Sequence, residues 1–163
     1  MTLITTAALL AAILVAAALA GSASASGTSK GALVALRKTA LGSVLVDARG
    51  RTLYLFEKDS RGRSACDGGC AAFWPPLLSS AKPRAGKGVR ASLLGLARRT
   101  NGKRQVTYAG HPLYLFVYDT KPGQTTGQGR TDYGGTWEAV TANGRGVEAD
   151  VAGSGGTGSG YGR

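Results

Sequence analysis

The hexapeptide Tyr54-Leu55-Phe56-Glu57-Lys58-Asp59 returns sixty residues later as Tyr114-Leu115-Phe116-Val117-Tyr118-Asp119. A leucine precedes each tyrosine (Leu53, Leu113), and a Gly-rich loop leads from each hexapeptide to a tryptophan, Trp74 and Trp137. Self-similarity of this kind means one supersecondary unit of about sixty residues built twice. In an extended strand Leu53 and Leu55 point one way and Tyr54 and Phe56 the other. Runs that are apolar on both faces belong to strands covered on both sides. The echoed strands are therefore expected at the centre of a common interior, with Trp74 and Trp137 as core anchors.

The rest of each unit reads as short strands and turns. In the first, Ala32 to Leu36, Val44 to Val46 and Leu53 to Phe56 are β-prone, and Asp47-Ala48-Arg49-Gly50 is a turn between the last two. In the second, Leu93 to Ala97, Gln105 to Tyr108 and Leu113 to Tyr118 follow the same plan, punctuated by Asn101-Gly102 and Ala109-Gly110-His111-Pro112. Thr136 to Val140 suits a further strand, whereas Pro75-Pro76 ends any element at Trp74.

Residues 3–20 are uncharged and, apart from Thr5 and Thr6, apolar, and small residues offering A-x-A cleavage sites follow, the pattern of a secretory signal peptide over 1–25. An uncleaved N-terminal anchor is the other reading of such a run. A linker over 26–30, repeats over 31–90 and 91–150 and a disordered Gly/Ser tail over 151–163 complete the expected organisation. Two free-standing sixty-residue domains would each be marginal, so the repeats are expected to share one core. The net charge is +11, and Asp67 to Asp119 encloses no acid but contains Lys82, Arg84, Lys87, Arg90, Arg98, Arg99, Lys103 and Arg104. A basic face favours anionic surfaces; the plainer reading is solvated strand ends and loops.

Candidate chemistry is sparse. Cys66 and Cys70 are the only cysteines, separated by Asp67-Gly68-Gly69; in an exported protein a structural disulfide is the simplest reading, with a redox or metal pair as the alternative. His111 is the sole histidine, expected exposed in its turn, and is the one imidazole available to a metal or haem. Asp59 and Asp119 end their strands where carboxylates accept loop N–H bonds, as Asx turns do. A symmetric pair sharing a cation or substrate is the sharper alternative. Tyr54 and Tyr114 carry hydroxyls that need partners when buried, and a bond to an aspartate within or between repeats would supply them. There is no G-x-S-x-G, H-E-x-x-H or P-loop, and the G-x-G-x-x-G match at 153–158 sits in the tail without a strand before it or a helix after it. No catalytic residue, cofactor or metal is therefore assigned.

Taken together, these motifs resemble a bacterial family of secreted-repeat proteins, or predicted lipoproteins, with the motif Y-x-(F/W/Y)-x-x-D. The motif maps onto Tyr54, Phe56 and Asp59 and again onto Tyr114, Phe116 and Asp119. Gly50 to Leu53, Cys66, Cys70-Ala71, Trp74-Pro75-Pro76-Leu77, Gln105 to Tyr108, Gly110, Pro112-Leu113 and Trp137 extend the match over nearly all of the chain beyond the leader. The resemblance implies export and a duplicated unit, and it brings no substrate with it. Many relatives look like lipoproteins; no cysteine near the cleavage sites offers such an anchor here.

The expected protein is thus an all-β domain of two tandem β-meander repeats sharing one core, secreted or held at the cell surface or in the periplasm. Its expected role is that of a non-catalytic envelope or extracellular module, binding anionic envelope polymers or lipid head groups through its basic face and no specific nucleic acid. The alternative is a redox or metal-handling protein using the cysteine pair, His111 or the paired aspartates.

Overall fold

The computed structural model describes residues 30–148; the leader, the linker up to residue 29 and the Gly/Ser tail lie outside them. Strands β1 (Leu33–Thr39) and β2 (Gly42–Asp47) form an antiparallel hairpin, joined on its other side by the short parallel strand β4 (Arg84–Ala85). The matching hairpin of the second repeat is β5 (Leu94–Arg98) with β6 (Arg104–Tyr108), extended by β7 (His111–Pro112). The third sheet joins the echoed strand β3 (Tyr54–Phe56) to β9 (Gly135–Ala139) and β8 (Arg130–Asp132). Helix is confined, among the described residues, to α1 (Gly69–Phe73) and one 3-10 turn at Ala91–Leu93. The fold is all-β with two repeats around one interior.

Local chemistry accounts for the hairpins. The Asp47 carboxylate accepts the backbone N–H groups of Arg49 and Arg51 and a forked pair of bonds from the Arg51 guanidinium, closing the turn after β2. Such Asx-type bonds supply acceptors for loop N–H groups that no ladder reaches.

A local two-fold axis relates the halves. Tyr54 and its counterpart Tyr114 face each other and exchange both backbone hydrogen bonds at 2.9 Å, an arrangement only a two-fold gives to equivalent residues. Around this pair the tryptophan-bearing segments cross over. The segment after Trp74 pairs with the second repeat, Val106 N–H to Leu77 carbonyl and Leu77 N–H to Leu113 carbonyl at 2.8 and 2.9 Å. Strand β9, with Trp137, pairs with the first, and the counterpart bonds run from Leu45 to Val140 and from Val140 to Leu53 at 2.7 and 3.0 Å. Each repeat completes the other's sheet rather than its own.

One expected strand is reduced. Leu113 to Phe116 is buried, yet it makes only isolated bridges at Tyr114, and Val117 and Tyr118 turn away from the expected strand. Its partner contains Pro75 and Pro76, which lack N–H groups, so apart from the Leu77 N–H to Leu113 carbonyl bond the bonds run from Leu115 and Val117 to the carbonyls of Pro75 and Phe73. In the first repeat the partner is Leu55↔Glu138 on β9, and a full ladder forms.

The echoed strands divide the interior as their alternation requires. Tyr54, Phe56, Tyr114 and Phe116 lie in an aromatic half with both tryptophans and both cysteines. Leu53, Leu55, Leu113 and Leu115 lie in an aliphatic half with Val34, Leu45, Val106 and Val140.

Candidate functional site

The aromatic half is a continuous stack running Phe56, Trp137, Trp74, Phe116. Adjacent centroids are 4.0, 4.0 and 4.3 Å apart, and the two indoles are within 2° of parallel. Tyr54 meets Trp74 edge-on at 5.5 Å and Tyr114 meets Trp137 edge-on at 5.1 Å, each using the positive ring edge against the negative face. The tryptophans meet at the centre because each has crossed to the other repeat. Gly127 is required beside them: a Cβ there would lie 2.9 Å from both Trp74 and Tyr54.

The motif residues bond across the axis. Tyr54 Oη donates to Asp119 Oδ2 at 2.5 Å, and Tyr114 Oη donates to Asp59 Oδ2 at 2.7 Å. The other carboxylate oxygens cap loops, Asp119 accepting the Thr126 N–H and hydroxyl and Asp59 the Ala65 N–H. Burial, reinforced by the adjacent carboxylate, pushes both tyrosine hydroxyls well above their ordinary value, so they stay protonated and act as donors. Asp59 is itself raised by burial, against the opposing effect of the Ala65 N–H, the Tyr114 hydroxyl and the Arg99 charge. The two aspartates do not converge. Asp59 lines a cavity of about 400 Å3 with His111, Glu57, Glu138 and Arg145, and Asp119 lines another of about 490 Å3 near Arg49 and Arg51. His111 is exposed, and its pKa is lowered by burial of part of the ring and by Arg61. Among the described residues no group of three or more His, Cys, Asp or Glu is placed to hold a metal.

Cys66 and Cys70 are joined as a disulfide that closes the loop leading into α1. Arg99 corrects the expectation of a basic face: it is buried beside this loop, not displayed. Its guanidinium donates to Ser64 Oγ, Gln105 Oε1, the Cys66 carbonyl and Asp67, tying the disulfide loop of one repeat to the hairpin of the other. Gln105 in turn donates to the Leu113 carbonyl at 2.9 Å, while Arg99 Nε is buried without a partner among the described residues.

The other seven bases of that stretch, Lys82, Arg84, Lys87, Arg90, Arg98, Lys103 and Arg104, are exposed. None of them takes part in the salt bridges found among the described residues. Arg98 and Arg104 stand directly opposite each other on β5 and β6, a like-charge pairing that costs stability. Lys103 and Arg104 border a cleft of about 370 Å3 with Leu78, Ser79 and Ser80, and Arg98 borders one of about 340 Å3 with Arg63 and Thr100.

Sequence reasoning missed Ser64, Gln105, Thr126 and Gly127, which support the tyrosine–aspartate and arginine networks. For Arg99 a signal existed: alternation puts it on the same face as the buried Ala97, opposite Arg98.

The same duplication appears in comparison with known families. A family model described as a secreted repeat of unknown function matches residues 35–78 and 95–141. The chain belongs to this family. Each matched span of this secreted repeat runs from a hairpin through its own tryptophan segment, so the crossover exchanges parts between the two family units. Comparison with curated proteins and with solved structures returns no match. Among the described residues no helix is long and apolar enough to cross a membrane.

Proposed function

We propose that this secreted repeat is a non-catalytic extracellular module that binds an anionic envelope polymer through the tip of the β5–β6 hairpin. The observation that carries the reading is the Arg98↔Arg104 pairing. Two arginines directly opposite in the strand register, with no carboxylate bridging them among the described residues, weaken the isolated fold. A ligand rich in phosphate or carboxylate relieves that repulsion, and Lys103 and Arg63 add positive charge to the clefts on either side, the second of which also contains Asp67, paired with Arg99. The redox or metal-handling reading draws less support, because the cysteines are bonded to each other and both aspartates are engaged by tyrosines and loop donors.

Retention on a heparin matrix and titration with polyphosphate test the proposal. The triple variant Arg98→Gln, Lys103→Gln, Arg104→Gln should elute at clearly lower salt than Lys30→Gln, Lys38→Gln, Lys121→Gln, which removes the same charge elsewhere. Equal loss in the two triples would reduce the effect to net charge and defeat the reading. Vesicles of anionic lipid provide a separate arm: stronger capture by vesicles than by polymer would replace the polymer with a membrane surface.

A further inference from the structure

The four-ring stack is symmetric in its members and asymmetric at its ends. At Phe56 the end is closed: a Cβ on Gly135 would lie 2.7 Å from Phe56 Cε2 and 3.1 Å from the Lys58 side chain, so backbone packs directly on the ring. At Phe116 the end is covered by side chains instead, the ring being 5% exposed beneath the Arg130 guanidinium. The Phe116 ring floors a cavity of about 400 Å3 whose walls are Phe73, Tyr118, Tyr133, Arg130 and Asp132. Tyr118 stands nearly perpendicular to Phe116 at 5.3 Å and lies 6.4 Å from Phe73. These wall rings are well exposed, Phe73 and Tyr133 at 44% and Tyr118 at 61%. The counterpart of Tyr118 in the first repeat is Lys58, so this wall ring has no aromatic equivalent at the other end of the stack.

Three exposed rings around one concavity are a patch that a soluble fold does not need and that marks an interaction site. The polar groups say what kind. Arg130 Nε bonds Asp132 Oδ2 at 2.9 Å, and the guanidinium lies over Phe116 at 5.3 Å from the ring centre. In a molecule of charge +11 the lining of this cavity is therefore neutral, one fork of donors and one set of acceptors beside aromatic rings; Lys58, which is not part of the lining, donates to the Tyr133 carbonyl at 3.3 Å. An anion would compete with Asp132 and an apolar ligand would strip solvent from both charges. A neutral ligand with hydroxyls on its edges and polarised C–H groups on its faces meets all of these groups at once, because the negative ring faces attract such C–H groups. The volume falls at the lower end of the range of about 300–1,000 Å3 that small ligands occupy.

We propose that this aromatic cavity binds a pyranose unit of an extracellular glycan, at a site separate from the basic hairpin. The ring stacks on Tyr118 and Tyr133, and Arg130 and Asp132 bond its hydroxyls. The test is a titration followed by tryptophan fluorescence, since Trp74 stacks on Phe116, using an N-acetylglucosamine tetramer, a β-linked glucose tetramer and sheared protein-free peptidoglycan. Saturable binding of at least one probe is expected, weakened roughly tenfold or more by Tyr118→Ala and by Tyr133→Ala. It should be unchanged in the Arg98, Lys103, Arg104 triple variant and in salt of about 0.5 M. Both tyrosines are exposed, so their variants should melt with the wild type. Binding by none of the three probes, or binding that survives Tyr118→Ala, would overturn the proposal. Binding that disappears with salt and in the triple variant would assign the glycan to the hairpin instead and overturn it equally.

Discussion

The Tyr54 hydroxyl is bonded to Asp119, sixty-five residues along the chain in the other repeat, at 2.5 Å. The mirror bond joins Tyr114 to Asp59, so the family motif is a pair of latches, each holding one repeat's strand to the other's loop. The tyrosine and the aspartate of a single motif copy are not partners.

The two latches should differ in strength. Asp119 is 3% exposed, and Tyr54→Phe would remove the partner of one buried carboxylate oxygen, costing about 1.5–3 kcal/mol as hydrogen bonds to charged groups do. Asp59 is half-buried, so water can replace the lost donor and Tyr114→Phe should cost less, about 1 kcal/mol. Denaturant midpoints at constant slope measure both; a larger loss for Tyr114→Phe would contradict this ordering.

Adjacent arginines should behave as opposites. Arg99→Lys replaces a planar fork reaching four acceptors with a single ammonium, and should cost about 2 kcal/mol. Arg98→Lys, exposed and unpaired among the described residues, should leave thermal stability unchanged. Equal melting temperatures for the two variants would remove the arginine tie from the account of how the disulfide loop is held.

The tryptophans occupy equivalent places in the stack but not equivalent hydrogen bonds. Trp137 Nε1 donates to the Asp132 carbonyl at 3.2 Å, whereas Trp74 Nε1 has no partner among the described residues. Both indoles are fully buried, so Trp→Phe removes the same volume at either place. Trp137→Phe should be the worse change by about 1 kcal/mol, the worth of one buried bond. Calorimetric unfolding of the two variants decides the order.

Glu138 and His111 line one cavity and should drive opposite pH responses. Burial, then the charges of Glu57 and Glu148, raises Glu138 above the ordinary 4.5. Its stabilising contribution is complete below that value and disappears as pH rises through the folded-state pKa, so wild type should lose ground to Glu138→Gln on going toward neutrality. Burial, then Arg61, lowers His111 below 6.5. Its contribution is present above that value and declines as pH falls through the folded-state pKa, so wild type should lose ground to His111→Gln on acidification. Unfolding midpoints of each pair across this range give the two slopes, and slopes of the same sign would contradict the assignment.

Much of the molecule is legible along the chain because strand alternation is a local property. Leu53, Tyr54, Leu55 and Phe56 declare two buried faces, and the interior contains one half for each. The Asp47 turn, the Asn101-Gly102 turn and the stop at Pro75-Pro76 are equally local, and each lies where its residues place it. Arg99 was misplaced because a run of bases hides which of two neighbours faces inward; only the alternation from Ala97 separates Arg99 from Arg98. The exposed rings at Tyr118 and Phe73 were overlooked because they stand forty-five residues apart and nothing between them signals a meeting.

What the amino-acid order settled alone is the β class, the duplication and the apolar faces of the echoed strands, all of which follow from backbone geometry acting over a few positions. Which tryptophan segment joins which sheet was decided only in three dimensions. A segment pairs through the same N–H and C=O groups whether its partner is its own repeat or the other one, so no local pattern distinguishes the two. In the crossed arrangement Trp74 and Trp137 stack at 4.0 Å, a contact between residues sixty-three positions apart that only the tertiary structure supplies.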